Sequence, residues 1–173
     1  YIKSANNNAG DMFGFSIALD NDTLAVGPYG DDDNGTTVQN GTTASYNNVS
    51  GLAYGAVFVY KRTGTSWAQE SFIKSVHREV GDVFGYHVAL DNNKLAVGSY
   101  SEDSNQTTIT NGTTASSDNS LDRSGAVYVY RRTGTTWAQE AYIKAANSES
   151  WDEFSTSSNR KGLRIDGDTM VVG

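Results

Sequence analysis

Gly81-Asp-Val-Phe-Gly-Tyr-His-Val-Ala-Leu-Asp91 repeats, slightly altered, the earlier stretch Gly10-Asp-Met-Phe-Gly-Phe-Ser-Ile-Ala-Leu-Asp20, 71 residues upstream. The residues after each copy repeat too. Thr23-Leu-Ala-Val-Gly27 returns as Lys94-Leu-Ala-Val-Gly98, and Gly55-Ala-Val-Phe-Val-Tyr60 as Gly125-Ala-Val-Tyr-Val-Tyr130. From Gly55 to Ser75 and from Gly125 to Ala145, fifteen of twenty-one positions are identical, and the rest exchange Phe for Tyr, Lys for Arg or Ser for a residue of similar size. A period of this length means that one supersecondary unit is stacked on copies of itself, because a single unit cannot bury its apolar face alone.

Each unit reads as strands. Residues 13–19 alternate loosely between apolar and small side chains, Asp20-Asn-Asp22 signals a turn, and Thr23 to Gly27 supplies the second arm of a hairpin. A polar segment, 28–54, precedes a third strand at 56–60, the turn Thr63-Gly-Thr65 and a fourth strand at 67–74. The second unit predicts strands near 84–90, 94–98, 126–130 and 137–144. A third begins at Trp151, departs from the pattern at 155–162 with about five extra residues, and resumes at Leu163. Tyr1-Ile-Lys-Ser4 matches Phe72-Ile-Lys-Ser75, so residues 1–4 read as the end of a fourth strand. Four antiparallel strands in about 70 residues predict an all-β fold, a β-propeller of four-stranded blades at 13–74 and 84–144, with partial blades at 1–4 and 154–173. Two and a half units cannot close such a ring. The remainder is expected from a longer chain or from other copies.

The composition narrows function more than it names one. A net charge of −7 with no basic stripe argues against nucleic acid. No apolar run is long enough to cross a bilayer as a helix, which sets membrane insertion aside for this stretch. With no cysteine, disulfides and thiolate chemistry are excluded. Six Asn-x-Ser/Thr triplets, at Asn21, Asn34, Asn40, Asn48, Asn105 and Asn111, are glycosylation candidates if the chain enters a secretory route.

Phe13-Gly14, Phe84-Gly85, the Val-Gly that ends the second strand and the Gly-Ala-Val-Tyr-Val-Tyr strand resemble the FG-GAP repeat of integrin α-subunit β-propellers and of many repeat-bearing secreted proteins. The resemblance implies that segments 28–54 and 98–124, with connectors 5–12, 76–83 and 146–153, share one ligand-binding face. Integrin hairpins on the opposite face can hold calcium. Asp20-Asn-Asp22, Asp91-Asn-Asn93 and Asp166-Gly-Asp168 are too short to supply the oxygens, so that site is not carried over.

A second acidic run, Asp31-Asp-Asp33, matches Glu102-Asp103 in the next unit and offers hard oxygens suited to calcium. A solvated acidic loop is the plainer alternative. His77 and Arg78 in one connector, and Trp151 where the repeats have Gly10 and Gly81, are candidate ligand contacts. His87 reads as a strand residue. The Asp of each Asp-x-Phe-Gly (Asp11, Asp82, Asp152) reads as a structural turn, since a catalytic carboxylate is needed once and not in every unit. The expected function is therefore non-enzymatic: an extracellular or cell-surface module for adhesion, protein–protein interaction or surface and filament assembly, with a protein or glycan partner at the long-loop face. The other readings are a calcium-dependent carbohydrate or ligand binder, and an accessory propeller of a secreted enzyme.

Overall fold

A computed structural model describes residues 1–156 and 162–173. The strands are β1 (Ser16–Asp20), β2 (Thr23–Gly27), β3 (Gln39–Asn40), β4 (Val57–Thr63), β5 (Ser66–Ile73), β6 (His87–Asp91), β7 (Lys94–Ser99), β8 (Ile109–Asn111), β9 (Ala126–Thr133), β10 (Thr136–Ile143), β11 (Leu163–Asp166) and β12 (Thr169–Val172). Among the described residues there is no helix. The first sheet has the order β1-β2-β4-β5-β3, the second β6-β7-β9-β10-β8, and β11 pairs with β12. All these pairings are antiparallel.

The four-stranded meander is as expected, but each full unit carries a fifth strand inside what the sequence presents as a loop. β3 and β8 lie along the outer edge of β5 and β10. Their backbone pairs with groups that would otherwise form an open edge at the rim. Two further expectations shift. β1 begins at Ser16, because Gly10, Met12 and Gly14 take positive φ and turn the chain before the strand starts. Residues 1–4 are in no strand, although Ile2 packs on the first sheet and the Lys3 carbonyl accepts a hydrogen bond from the Tyr60 hydroxyl. The expected insertion at 155–162 lies mostly outside the described residues.

Period-two alternation builds the core. Val57 and Val59 face the second sheet, while Ala56, Phe58 and Tyr60 face the opposite way, toward Phe13 and Ile2. In the second sheet Tyr128 and Tyr130 meet the valines of the first, and Val127 and Val129 turn toward Leu163, Ile165 and Met170 of the β11–β12 hairpin. The aromatic face of one unit thus covers the aliphatic face of the unit before it. Along the inner edge, β1 lies against β6 and β6 against β11.

The Phe-Gly and Gly-Ala motifs meet at the junction between units. Gly55 and Phe84 form a parallel bridge, and a Cβ at Gly55 would sit 2.0 Å from the Phe84 carbonyl oxygen. Gly125 repeats the approach on Phe154, where a Cβ would lie 2.4 Å from the backbone nitrogen. Both glycines also take positive φ, so neither space nor conformation tolerates a side chain there. The first residue of each inner strand completes the junction. Ser16 Oγ donates to the Gly85 carbonyl at 2.6 Å, and His87 Nδ1 lies 2.7 Å from the Ser155 carbonyl, so that nitrogen carries the proton. His87 is accordingly the strand residue expected.

Candidate functional site

The connectors and the long segments converge at one end of the sheets. Gly30 N donates to the Asp11 carbonyl, Gly81 N to that of Ala53 and Trp151 N to that of Asp122. Each joins a connector to a long segment. At the opposite end, the Asp20 carboxylate accepts from Asn92 N and that of Asp91 from Gly167 N, tying each inner hairpin to the next.

Within the convergent end, the acidic run is held by a lysine that the sequence places far away. Lys74, at the end of β5, donates from Nζ to Asp31 Oδ1 at 2.8 Å, with both side chains 1% exposed. Asn6 Nδ2 donates to the other Asp31 oxygen at 3.0 Å, and Asn8 Nδ2 reaches both oxygens of Asp32. Asp33 is fully buried. It accepts from Gly35 N, Ser45 Oγ and Asn47 N. Burial raises its pKa, but these hydrogen bonds outweigh that and hold it below the usual carboxylate value.

The second unit repeats the pin with different parts. Lys144 Nζ meets Glu102 Oε2 at 2.6 Å and Ser124 Oγ at 2.7 Å, while the Tyr142 hydroxyl donates to Glu102 Oε1 at 2.6 Å. Burial pulls both lysines below their ordinary pKa, against the carboxylates that favour the charge. Asp103 accepts from Arg123 N at 2.6 Å.

The five residues expected to bind calcium therefore surround buried ammonium groups and loop amides. Among the described residues, no three His, Cys, Asp or Glu side chains come together to hold a metal. As placed, the run does not fit calcium, which needs six to eight converging oxygens and no ammonium among them.

Asp11, Asp82 and Asp152 each accept the backbone N–H three residues earlier, from Asn8, Glu79 and Glu149. They close the connector turn in every unit. Burial raises Asp11 to about 6 and Asp82 to about 8, with Glu102 and Asp103 adding to the rise at Asp82.

The candidate ligand contacts separate. His77 is exposed and Arg78 half-buried, its guanidinium 5.7 Å from the Tyr54 ring centroid. Both line a small recess with Asp82, Glu102 and Asp118. Trp151 stands apart, 61% exposed, with the Arg123 guanidinium 4.7 Å from one of its ring centroids and 5.2 Å from that of Tyr100. From Tyr100 a run of half-buried rings continues through Tyr86 (4.5 Å) to Phe15 (4.8 Å) and Tyr29. These rings come just after each Phe-Gly and each Val-Gly, so the repeat itself was the signal for them. Lys74 and Lys144 also stood in the sequence as a repeated Ile-Lys, where they read as strand tails.

Of the glycosylation candidates, Asn21, Asn40, Asn105 and Asn111 are exposed, and Asn34 and Asn48 are half-buried. Asn40 is already engaged. Its side chain donates to the Trp137 carbonyl and accepts from Trp137 N in the second sheet, contacts that a glycan on Nδ2 would break.

The FG-GAP repeat family matches residues 2–60 and 67–130, well over half of the chain. No curated protein and no solved structure matches it. The two matched segments contain the Phe-Gly, Val-Gly and Gly-Ala elements that form the junction between units, and the chain belongs to the FG-GAP repeat family.

Proposed function

We propose that the sheets are blades of a β-propeller, and that its loop end is the non-enzymatic recognition face of an extracellular or cell-surface protein working in adhesion or surface assembly. The radial arrangement is supported by the inner strands β1, β6 and β11 lying side by side and by the same glycine junction joining successive units. Exposed sequons at Asn21, Asn105 and Asn111 suit an extracellular setting. The observation that carries the recognition role is the Tyr100–Arg123–Trp151 stack, an exposed indole on a half-buried arginine and tyrosine, whose segment the buried Lys144–Glu102 pin holds and to which Trp151 is tied through its backbone N–H to the Asp122 carbonyl. Rigidly supported loops of this kind present side chains to partners without a large ordering cost. A carbohydrate ligand is the second reading, favoured by the run of half-buried rings Phe15, Tyr29, Tyr86 and Tyr100 beside that stack.

The test is a binding screen of the chain against immobilised extracellular glycans and matrix proteins, with and without a calcium chelator. Binding is expected to be lost in Trp151→Ala and Arg123→Ala, kept in Asn93→Ala at the far end, and unaffected by the chelator. Binding that ignores the loop-end substitutions would place recognition elsewhere and sink the proposal.

A further inference from the structure

The lysine pin of the second unit has the parts of a reaction centre as well as those of an ion pair. Lys144 Nζ and Glu102 Oε2 are in contact at 2.6 Å, and their side chains are 0% and 6% exposed, so both are out of bulk water. The walls are aromatic. Tyr142 is fully buried with its ring centroid 5.1 Å from that of Tyr128, which in turn lies 5.3 Å from that of Phe84. Separated charges are poorly solvated in such surroundings, and one proton moved from nitrogen to oxygen turns the pair into a neutral amine beside a neutral carboxylic acid. Burial already pulls Lys144 below its ordinary pKa. An amine and a carboxylic acid held in contact away from water are the two halves of an amide.

Three neighbours supply what joining those halves requires. The Tyr142 hydroxyl donates to Glu102 Oε1 at 2.6 Å, the oxygen on which negative charge gathers when a nucleophile adds to the carboxyl carbon. Ser124 Oγ accepts from Lys144 Nζ at 2.7 Å and donates to the Ser104 carbonyl at 2.9 Å, which fixes the nitrogen from its other side. Asp82 is buried and lines the same recess as Glu102. Burial, with the charge of Glu102 adding to it, raises Asp82 to about 8, so it holds a proton at neutral pH. The first unit has the lysine and the carboxylate without this set. Phe72 stands in place of Tyr142, the Asn6 amide occupies the second oxygen of Asp31, and Asp11 rises only to about 6.

We propose that Lys144 and Glu102 condense after folding into an intramolecular isopeptide bond, which ties the end of β10 covalently to the long segment of its own unit. A proton passes from Nζ to the Glu102 carboxylate, and rotation about the soft terminal torsion of Glu102 turns the face of its carboxyl carbon toward the amine. The nitrogen lone pair forms the C–N bond at Cδ while the C=O electron pair moves onto Oε1, against the Tyr142 hydroxyl. Asp82 protonates the departing hydroxyl, the C–O bond breaks, and water leaves into the recess as the C=O bond is restored. The surplus proton on nitrogen returns to Asp82. Ammonium and carboxylate have become an amide and one water, with no change of oxidation state. The ion pair is the unreacted form, and both forms leave the buried site without net charge. The bond joins positions 42 residues apart, so it restricts the unfolded chain as a disulfide does, in a protein that has no cysteine.

The experiment measures the intact mass of the full chain, produced without glycans, held for days at neutral pH and then denatured. The mass should fall by about 18 Da, one water. A tryptic digest should contain a branched fragment joining residues 95–123 to 133–160, because trypsin does not cut after an acylated lysine. Lys144→Arg and Glu102→Ala should each keep the full mass. Tyr142→Phe, and Asp82→Asn, which retains an acceptor for the Glu79 N–H, should each slow the loss about tenfold or more. In the unaltered chain the rate should fall as pH rises through about 8, a dependence that a merely structural Asp82 would not produce. A mass that stays whole, or a loss of water that persists in Lys144→Arg, overturns the bond. A rate unmoved by Asp82→Asn removes that carboxyl from the step, and an equal cross-link between Lys74 and Asp31 overturns the roles given to both Tyr142 and Asp82.

Discussion

The two long segments are anchored by the same lysine in the same place, yet the groups around it have moved. In the first unit the second carboxylate oxygen of Asp31 is satisfied from the connector, by Asn6, which is buried. In the second, Glu102 is longer by one methylene and takes the hydroxyl of Tyr142, where the first unit has Phe72. The connector position equivalent to Asn6 is then free to be His77, which lies exposed at the recess. The loop staple has moved as well. Asp33 organises the first segment from its start, through Ser45 and Asn47, whereas in the second Asp118 does so from its end, accepting from Asn105 N and Ser120. The repeat holds the ion pair fixed and lets the hydrogen-bond donors vary. What is held is the charge balance in a buried site, because an unpaired buried charge costs far more than a rearranged neutral donor.

The strongest way to break this comparison is to remove each lysine. Lys74→Met and Lys144→Met should each cost about 3–5 kcal/mol in denaturant unfolding, since each strands a buried carboxylate. The loss should be larger at Lys74, which stands against three consecutive buried carboxylates, Asp31, Asp32 and Asp33. Millimolar calcium should then raise the melting temperature of Lys74→Met while leaving the unaltered chain unmoved, because the variant alone leaves the buried Asp31 carboxylate, beside Asp32 and Asp33, without the ammonium that neutralises it. Equal losses at the two lysines would mean that the two pins do not differ as their surroundings imply.

A second test uses pH. Asp11 and Asp82 close the same turn, but burial lifts Asp11 to about 6 and Asp82 to about 8. A carboxyl whose folded pKa is raised binds its proton more tightly in the folded chain. Its contribution is therefore complete below the ordinary carboxylate value of 3.8 and is lost as pH climbs through the folded value. Stability should fall between pH 4 and 8 on account of these two groups. Asp11→Asn should flatten the lower part of that decline and Asp82→Asn the part extending to about 8, both read from urea midpoints against pH. A slope untouched by Asp82→Asn would show that its carboxyl is ionised throughout.

The 71-residue register makes the strand order legible because period-two alternation and turn residues survive in every copy. β3 and β8 were not legible, since two or three residues, all polar but Ile109, carry no period and pair only through tertiary contact. The acidic run looked like a metal site for a related reason. Its carboxylates are adjacent in sequence, whereas the lysine that neutralises the first of them lies 43 residues away. Trp151 was recognisable as the break in the pattern, but not the conformation that goes with it. It takes φ +69° where Gly10 and Gly81 take +97° and +94°, and Ser155 takes +88° at the position of Gly14 and Gly85. The third unit thus adopts the glycine geometry without glycine, at a cost of order 1–3 kcal/mol per residue.

The smallest expected effect tests the exchange of donors itself. Asn6→Ala removes a buried amide from a buried carboxylate and should cost about 1–3 kcal/mol. His77→Ala, at the equivalent position, should stay within about 0.5 kcal/mol, since the Glu102 oxygens are already held by Lys144 and Tyr142. If the roles are exchanged as described, the first unit can be rebuilt in the image of the second. Asp31→Glu lengthens the carboxylate arm and Phe72→Tyr supplies the hydroxyl, so together they should recover most of the loss caused by Asn6→Ala. Phe72→Tyr alone should not, because the shorter Asp31 side chain leaves its carboxylate out of reach of that hydroxyl. Thermal melts of the single, double and triple variants decide the matter: no recovery in the triple variant would mean that position 6 is held by the connector's own turn and not by the carboxylate it donates to.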